Sequence, residues 1–244
     1  MAILTSSGRA AIAASIKEQA IHMAWGTGDP AWGSAHNIQT SFTDDLITLS
    51  QSPVKDVVLR EGETTFTPGT DYSVDSVAGT ITRLPLGTIA EDAVLDISYT
   101  QDTPREEITS TALLNPVGLR TVDEVLFCSG DENGELITPS GRFTASQSPT
   151  NNLFLKFTFD FEDAANQVIQ ELGVMVGSEF LAELPEGQRY FTPDQITTEG
   201  ILLVLEHTVP LVRTPSLLAL PFASTNDIAF QISVSLYSPS WASM

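Results

Sequence analysis

The sequence predicts a mainly β protein: a β-sandwich-like host domain with a short N-terminal helix, and a small β-sandwich or barrel module inserted into that host. Three observations carry this reading. Short segments alternate with a period of two, as where Ala93, Leu95, Ile97 and Tyr99 interleave with Val94, Asp96, Ser98 and Thr100. Turn formers recur at short intervals, at Glu61-Gly62-Glu63, Pro68-Gly69-Thr70, Ala78-Gly79-Thr80 and Leu86-Gly87-Thr88. Pro-bearing junctions at Ser52-Pro53 and Gln101-Asp102-Thr103-Pro104 bracket this β pattern, as the two ends of an insertion would. The expected organisation is a discontinuous host over residues 1–52 and 103–237, a module over 53–102, and a C-terminal tail over 238–244.

Taken in order, Thr5, Ser6 and Ser7 supply capping hydroxyls for an Ala-rich helix over Arg9 to Gln19, with Ile12 and Ile16 on its apolar stripe. Ile21 to Trp25 reads as a strand running into a Gly26-Thr27-Gly28 loop. Residues 31 to 53 are polar and irregular, with a short strand at Asn37 to Thr40. Inside the module, Tyr72 and Val74 share one face of a strand, and Gly69 and Gly79 can enter positive φ. Asp71 is placed to bond the backbone of its own turn. In the returning host, Thr121 to Cys128 reads as one buried strand. Leu153, Leu155, Phe157, Phe159 and Phe161 line one face of the next strand, and Gln167 to Val176 forms another, turned by Gly177-Ser178. Ile201 to Val209 is apolar on both faces and is expected to be central, with His207 beside Leu203 and Leu205. Ile228, Phe230, Ile232, Val234 and Leu236 mark the last strand.

Composition narrows the function. Hydrophobic content of 42% with 17% charge describes an ordered globular chain. The net charge of −20, from 31 acidic against 11 basic residues, repels phosphate backbones and argues against nucleic-acid binding. Lone Cys128, in an apolar run, excludes an internal disulfide and a Cys-based zinc site. The start lacks a basic leader, and no run approaches the roughly 20 apolar residues of a spanning helix, so no membrane insertion is expected.

Gly26-Thr27-Gly28 lacks the lysine and following helix of a phosphate loop. Asp131 to Leu136 has the acids of a calcium loop, but Ser140 stands where its closing glutamate belongs, so a solvated hairpin turn is expected. His22 and His207 lie in apolar strand patterns, as core or edge histidines. No Gly-x-Ser-x-Gly elbow is present. Glu106 with Glu107, and Glu162 with Asp163, would face opposite ways on a strand. The expectation is no enzyme, no cofactor and no metal. Trp25, Trp32 and Trp241, near glycines or in a Ser/Pro tail, are the candidate partner-binding residues, as interface anchors or a sugar-lining set.

Two resemblances sharpen this. Phe66-Thr67-Pro68-Gly69-Thr70-Asp71-Tyr72, then Ala78-Gly79-Thr80-Ile81-Thr82-Arg83-Leu84 and Ile97-Ser98-Tyr99-Thr100, resembles a β module of bacteriophage virion proteins, especially tail components. Leu4-Thr5-Ser6-Ser7-Gly8-Arg9 leading to His22-Met23-Ala24-Trp25-Gly26-Thr27-Gly28, with Gln170-Glu171-Leu172-Gly173-Val174-Met175-Val176, resembles phage tail-collar fibre and baseplate-associated proteins. The departures are the module between the two halves and the lack of a fibre shaft or receptor tip. The resemblance implies a structural virion protein of a phage tail, a baseplate or tail-fibre attachment adaptor assembled in the host cytoplasm. Expected partners are other tail, baseplate or fibre proteins, in a homo-oligomer or multicopy assembly. The alternatives are a carbohydrate-binding receptor-recognition module of a tail fibre and, last, a glycan hydrolase.

Overall fold

The computed structural model describes residues 3–138, 141–158, 160, 163–164, 166–212 and 227–233. The chain opens with helix α1 (Ser6–Lys17) and strand β1 (Ile21–Gly26). Then come β2 (Ala35–Thr40), β3 (Leu46–Thr48), β4 (Val54–Glu61), β5 (Thr64–Thr65), β6 (Tyr72–Asp75), β7 (Thr80–Arg83) and β8 (Leu95–Gln101). The rest comprises β9 (Pro116–Thr121), β10 (Glu124–Gly130), β11 (Leu136–Thr138), β12 (Gly141–Ser146), β13 (Asn152–Thr158), β14 (Val168–Val176), β15 (Glu179–Phe180), β16 (Tyr190–Phe191), β17 (Ile196–Thr198), β18 (Ile201–Val212) and β19 (Asp227–Ser233). The fold is mainly β with one short N-terminal helix. It divides into two compact units, one from the described residues of Met1–Thr27 and Thr109–Met244, the other from Gly28–Ile108.

In the first unit, one five-stranded sheet runs β16-β9-β1-β14-β18 and a second runs β11-β12-β10-β13-β19, all pairs antiparallel. Alternation explains their packing. Ile21, Met23 and Trp25 of β1 and Leu172, Val174 and Val176 of β14 meet Phe127 of β10 and Leu153, Leu155 and Phe157 of β13 in one core. Each such side chain stabilises the fold by about 1.5–3 kcal/mol through its burial. A register shift between Ile169 and Glu171 lets Ile169 join the same core although it lies three residues from Leu172. The first sheet is covered on its other face too, where Ala24, Leu119 and Met175 pack with Leu113, Leu202, Leu205 and Phe180 and Ile196 of the β15–β17 ribbon.

Helix α1 is capped by Thr5, whose hydroxyl accepts from the Gly8 N–H at 3.1 Å. Its buried contact is Ala13, with Ala14 and Ile16 alongside, whereas Ile12 is 40% exposed. The apolar stripe therefore runs through the small residues instead of Ile12. Lys17 sits over the Phe127 ring, 4.6 Å from its centroid, so the helix end carries a cation–π contact.

The second unit has a four-stranded sheet, β2-β8-β4-β5, and a three-stranded sheet, β3-β7-β6. Their shared core is Leu95, Ile97 and Tyr99 from β8 with Val54, Leu59, Tyr72 and Ile81. Val54 and Leu59 are out of phase for a plain strand. A register shift between Lys55 and Val58, with Asp56 at φ 53°, inserts one residue and brings both inward. The Tyr72 hydroxyl donates to the Val57 carbonyl at 3.0 Å. Buried Asp71 accepts from the Thr67 and Thr88 N–H groups, each at 2.8 Å, and these bonds hold its carboxyl below the usual range.

Three expectations need correction. The boundaries at 53 and 102 are too narrow: β2 pairs with β8 over Ala35 to Thr40, and β3 pairs with β7 over Leu46 to Thr48. Residues 31 to 53 look irregular because the inward positions of β2 are His36, Ile38 and Thr40, of which only Ile38 is apolar. The strand expected over Thr121 to Cys128 begins at Glu124 as β10, and Thr121 instead ends β9, an unanticipated strand in the other sheet. The third concerns β18. It is not central but lies at the edge of its sheet among the described residues. Phe159, Phe161, residues 234–236 of the last expected strand and the tail 238–244 lie outside the described residues.

Candidate functional site

The two sequence motifs that stood 140 residues apart as separate signals meet in the first sheet. Gly26 at the end of β1 lies opposite Glu171 of β14, with Trp25 opposite Leu172 and Ala24 opposite Gly173. A β-carbon at Gly26 would come within 2.7 Å of the Glu171 Oε2, so the glycine is what lets that carboxylate lie against the strand. Glu171 is 1% exposed. Its Oε2 accepts from the Leu114 N–H at 3.0 Å, and its Oε1 lies 3.5 Å from Nε2 of His207, the residue opposite it on β18. Beside it, the Gln170 Nε2 donates to the Thr27 carbonyl at 3.1 Å, and the Thr27 N–H donates to the Asn115 carbonyl at 3.0 Å.

These bonds fall where the chain leaves the first unit after Thr27 and has returned by Leu114. Both passes are fixed by side chains of β14, so an 81-residue excursion (Gly28 to Ile108) starts and ends at adjacent points. The second unit matches this: the Gly33 N–H donates to the Gln101 carbonyl and the Gln101 N–H to the Ser34 carbonyl, each at 2.9 Å. The polar groups here hold backbone in place. Sequence reasoning named Gln170 and Glu171 only as part of a strand motif. The signal available was a charged residue within an otherwise apolar strand, which must be paired if buried.

A second buried polar cluster is Arg120 of β9, whose Nη1 donates to Asp163 at 2.8 Å and Asp160 at 3.0 Å. His22, on the outer face of β1, is buried with its ring edge-on to Phe180 and Phe191 at 4.9 and 6.1 Å. Burial pushes its pKa down to about 4, so the imidazole is neutral at pH 7.

The tryptophans are placed otherwise than expected. Trp25 is 2% exposed, in the core between the sheets, and Trp32 is 8% exposed, its ring against Gly28. Neither presents its ring as a surface anchor, and they lie in different units. Trp25 belongs to the inward-facing alternation of Ile21 and Met23 on β1. Trp241 lies outside the described residues. The acidic loop is a turn: the Asp131 carboxylate accepts from the Thr144 hydroxyl and the Asn133 N–H, and that of Glu135 from the Ala145 N–H. Among the described residues no group of three His, Cys, Asp or Glu side chains is placed to hold a metal, and no helix is long and apolar enough to cross a membrane.

β18 lies at the edge of the first sheet among the described residues. It pairs with β14 along one side, and no described strand pairs with the other. Leu202, Leu203, Val204 and Leu205 are half-buried and Ile201 is 69% exposed. Its apolar faces are explained by the two cores on either side of the sheet, to which Leu203 and Val204 contribute on one face and Leu202 and Leu205 on the other. Leu203 is the extra residue of a bulge between the Val174 and Met175 pairings.

A sandwich carrying an inserted β unit, with its buried charges tied to backbone and a long strand at the sheet edge among the described residues, defines a structural β protein. The family of baseplate wedge 3 tail fiber network components matches residues 1–50 and 96–219, and the chain belongs to that family. It is thus a structural protein associated with the phage baseplate and tail fibre. Of the two unmatched stretches, 51–95 falls inside the inserted unit, across β4 to β7, and 220–244 is C-terminal. No curated protein matches the chain.

Proposed function

We propose that the chain is a non-enzymatic adaptor that joins baseplate or tail-fibre neighbours by protein–protein contact, in several copies per virion, after assembly in the host cytoplasm. The observation that carries this reading is the edge of β18. Among the described residues β18 has no strand on its outer side, so its backbone donors and acceptors there, Pro210 having no N–H, lie next to half-buried leucines, the arrangement that a partner strand or loop completes. The C-terminal segment with Trp241 is the second proposed anchor, because an aromatic in a Ser/Pro-rich stretch supplies contact area at small entropic cost.

The test is incorporation into particles. Ile201→Lys places a charge on a side chain that faces solvent, and truncation after Tyr237 removes the tail. Each variant should keep the circular-dichroism spectrum of the parent and enter particles at a reduced level. Incorporation of both at parental level counts against the adaptor reading.

A further inference from the structure

The second unit carries an open groove of about 390 Å³ on the outer face of its larger sheet. Its cause is the side-chain sizes on three adjacent strands. On central β8 the outward residues are short, Asp96 and Ser98. They are flanked by Gln39 and Asn37 on β2, and Asp96 also by Arg60 on β4. Long side chains on either wall above a short one on the floor make a trench along β8. Gln39 Nε2 donates to Asp96 Oδ1 at 3.1 Å, which fixes one wall. The Arg60 guanidinium has no ion-pair partner among the described residues, in a chain of net charge −20.

From this lining we infer that the trench binds a neutral oligosaccharide. Its polar side chains are two primary amides, a hydroxyl, a carboxylate and a guanidinium, and Ile38 and Ile97 complete the lining. Four of the five polar side chains are planar groups that offer two hydrogen-bonding atoms side by side, matching the paired hydroxyls of a sugar ring. The volume is that of an ordinary small-ligand pocket, roughly 300–1,000 Å³. One cation and one anion leave the trench electrically neutral on a strongly acidic protein, which suits an uncharged ligand. A phosphate-bearing chain would meet only one cation. A divalent ion would meet only one carboxylate, and the two apolar lining residues, Ile38 and Ile97, are turned toward the core. The site lies in a different unit from β18, so its failure leaves the adaptor reading untouched.

The experiment uses the full-length ¹⁵N-labelled chain, titrated with a fixed panel of linear malto-, cello-, manno- and chito-oligosaccharides and, separately, with inorganic phosphate. At least one sugar is expected to give saturating amide shifts at Asn37, Gln39, Arg60, Asp96 and Ser98, with Kd on the order of 1 mM. Ser98→Lys fills the floor and should abolish those shifts, while Arg60→Ala should weaken binding about tenfold. Both side chains point away from the Ile97 and Tyr99 core, and the dispersion of the remaining amides checks folding. No saturating shift with any sugar overturns the inference. So do shifts unchanged in Ser98→Lys, or phosphate saturating the same amides in place of sugar.

Discussion

Acidification should loosen the sandwich in a pH window set by one residue, His22. Its imidazole is buried against Phe180 and Phe191, and burial lowers its pKa from 6.5 to about 4. An unfolded chain takes up a proton here near pH 6.5, while the folded chain resists until about pH 4. The stabilisation from the neutral ring is therefore complete above pH 6.5 and is lost progressively as pH falls toward 4. At pH 4.5 the loss is roughly 2–3 kcal/mol, a large part of a typical domain's net stability. The carboxyls held low by hydrogen bonds, Asp71, Asp102, Asp131 and Glu135, lose their contributions as pH falls through their own lower folded values. The assay is urea unfolding at pH 7 and 4.5, for the parent and for His22→Leu. The parent's midpoint should fall by about 1 M, and the variant's by clearly less, whatever its absolute stability. An NMR titration should place the His22 ring near pKa 4. Equal pH slopes in parent and variant, or a ring titrating near 6.5, would refute the reasoning.

Further expectations follow from the fold. A fragment spanning Gly28–Ile108 should give a dispersed amide spectrum, whereas one spanning 53–102 should not, because it lacks the β2 and β3 partners of β8 and β7. Gly79→Ala should destabilise the inserted unit by about 1–3 kcal/mol in thermal unfolding, since φ is +66° and the added carbon would lie 2.6 Å from the Gln51 carbonyl oxygen. Cys128, buried with its thiol pKa pushed up by burial, should react with a thiol reagent only as fast as the sheet opens. Labelling within seconds would show that β10 is exposed.

What the sequence made legible was the pattern of faces. Leu153, Leu155 and Phe157 of β13, and the alternation along β8, are inward as their period of two requires. The position of a strand in its ladder was not legible. β18 is apolar on both faces because cores lie on both sides of its sheet, and a strand so covered reads the same at the edge as at the centre. β9 was not legible because Pro116 and Gly118 read as a turn, although both lie in the strand. The inserted unit begins too late in the sequence reading because two of the three inward positions of β2, His36 and Thr40, are polar. Of the junction, Gly26 and Glu171 were each visible, but only register shows that they are opposite one another. That buried carboxylate serves to fix the backbone at the points where the chain departs and returns.

The central claim, that the chain joins tail components through protein contacts, is tested most directly by a cryo-electron-microscopy map of the native particle. The account predicts this protein in the baseplate or at the fibre attachment, touching at least two other tail chains, with a partner segment along the open edge of β18. A map that shows it solely at fibre tips, with β18 facing solvent and no second tail protein against it, would contradict the account.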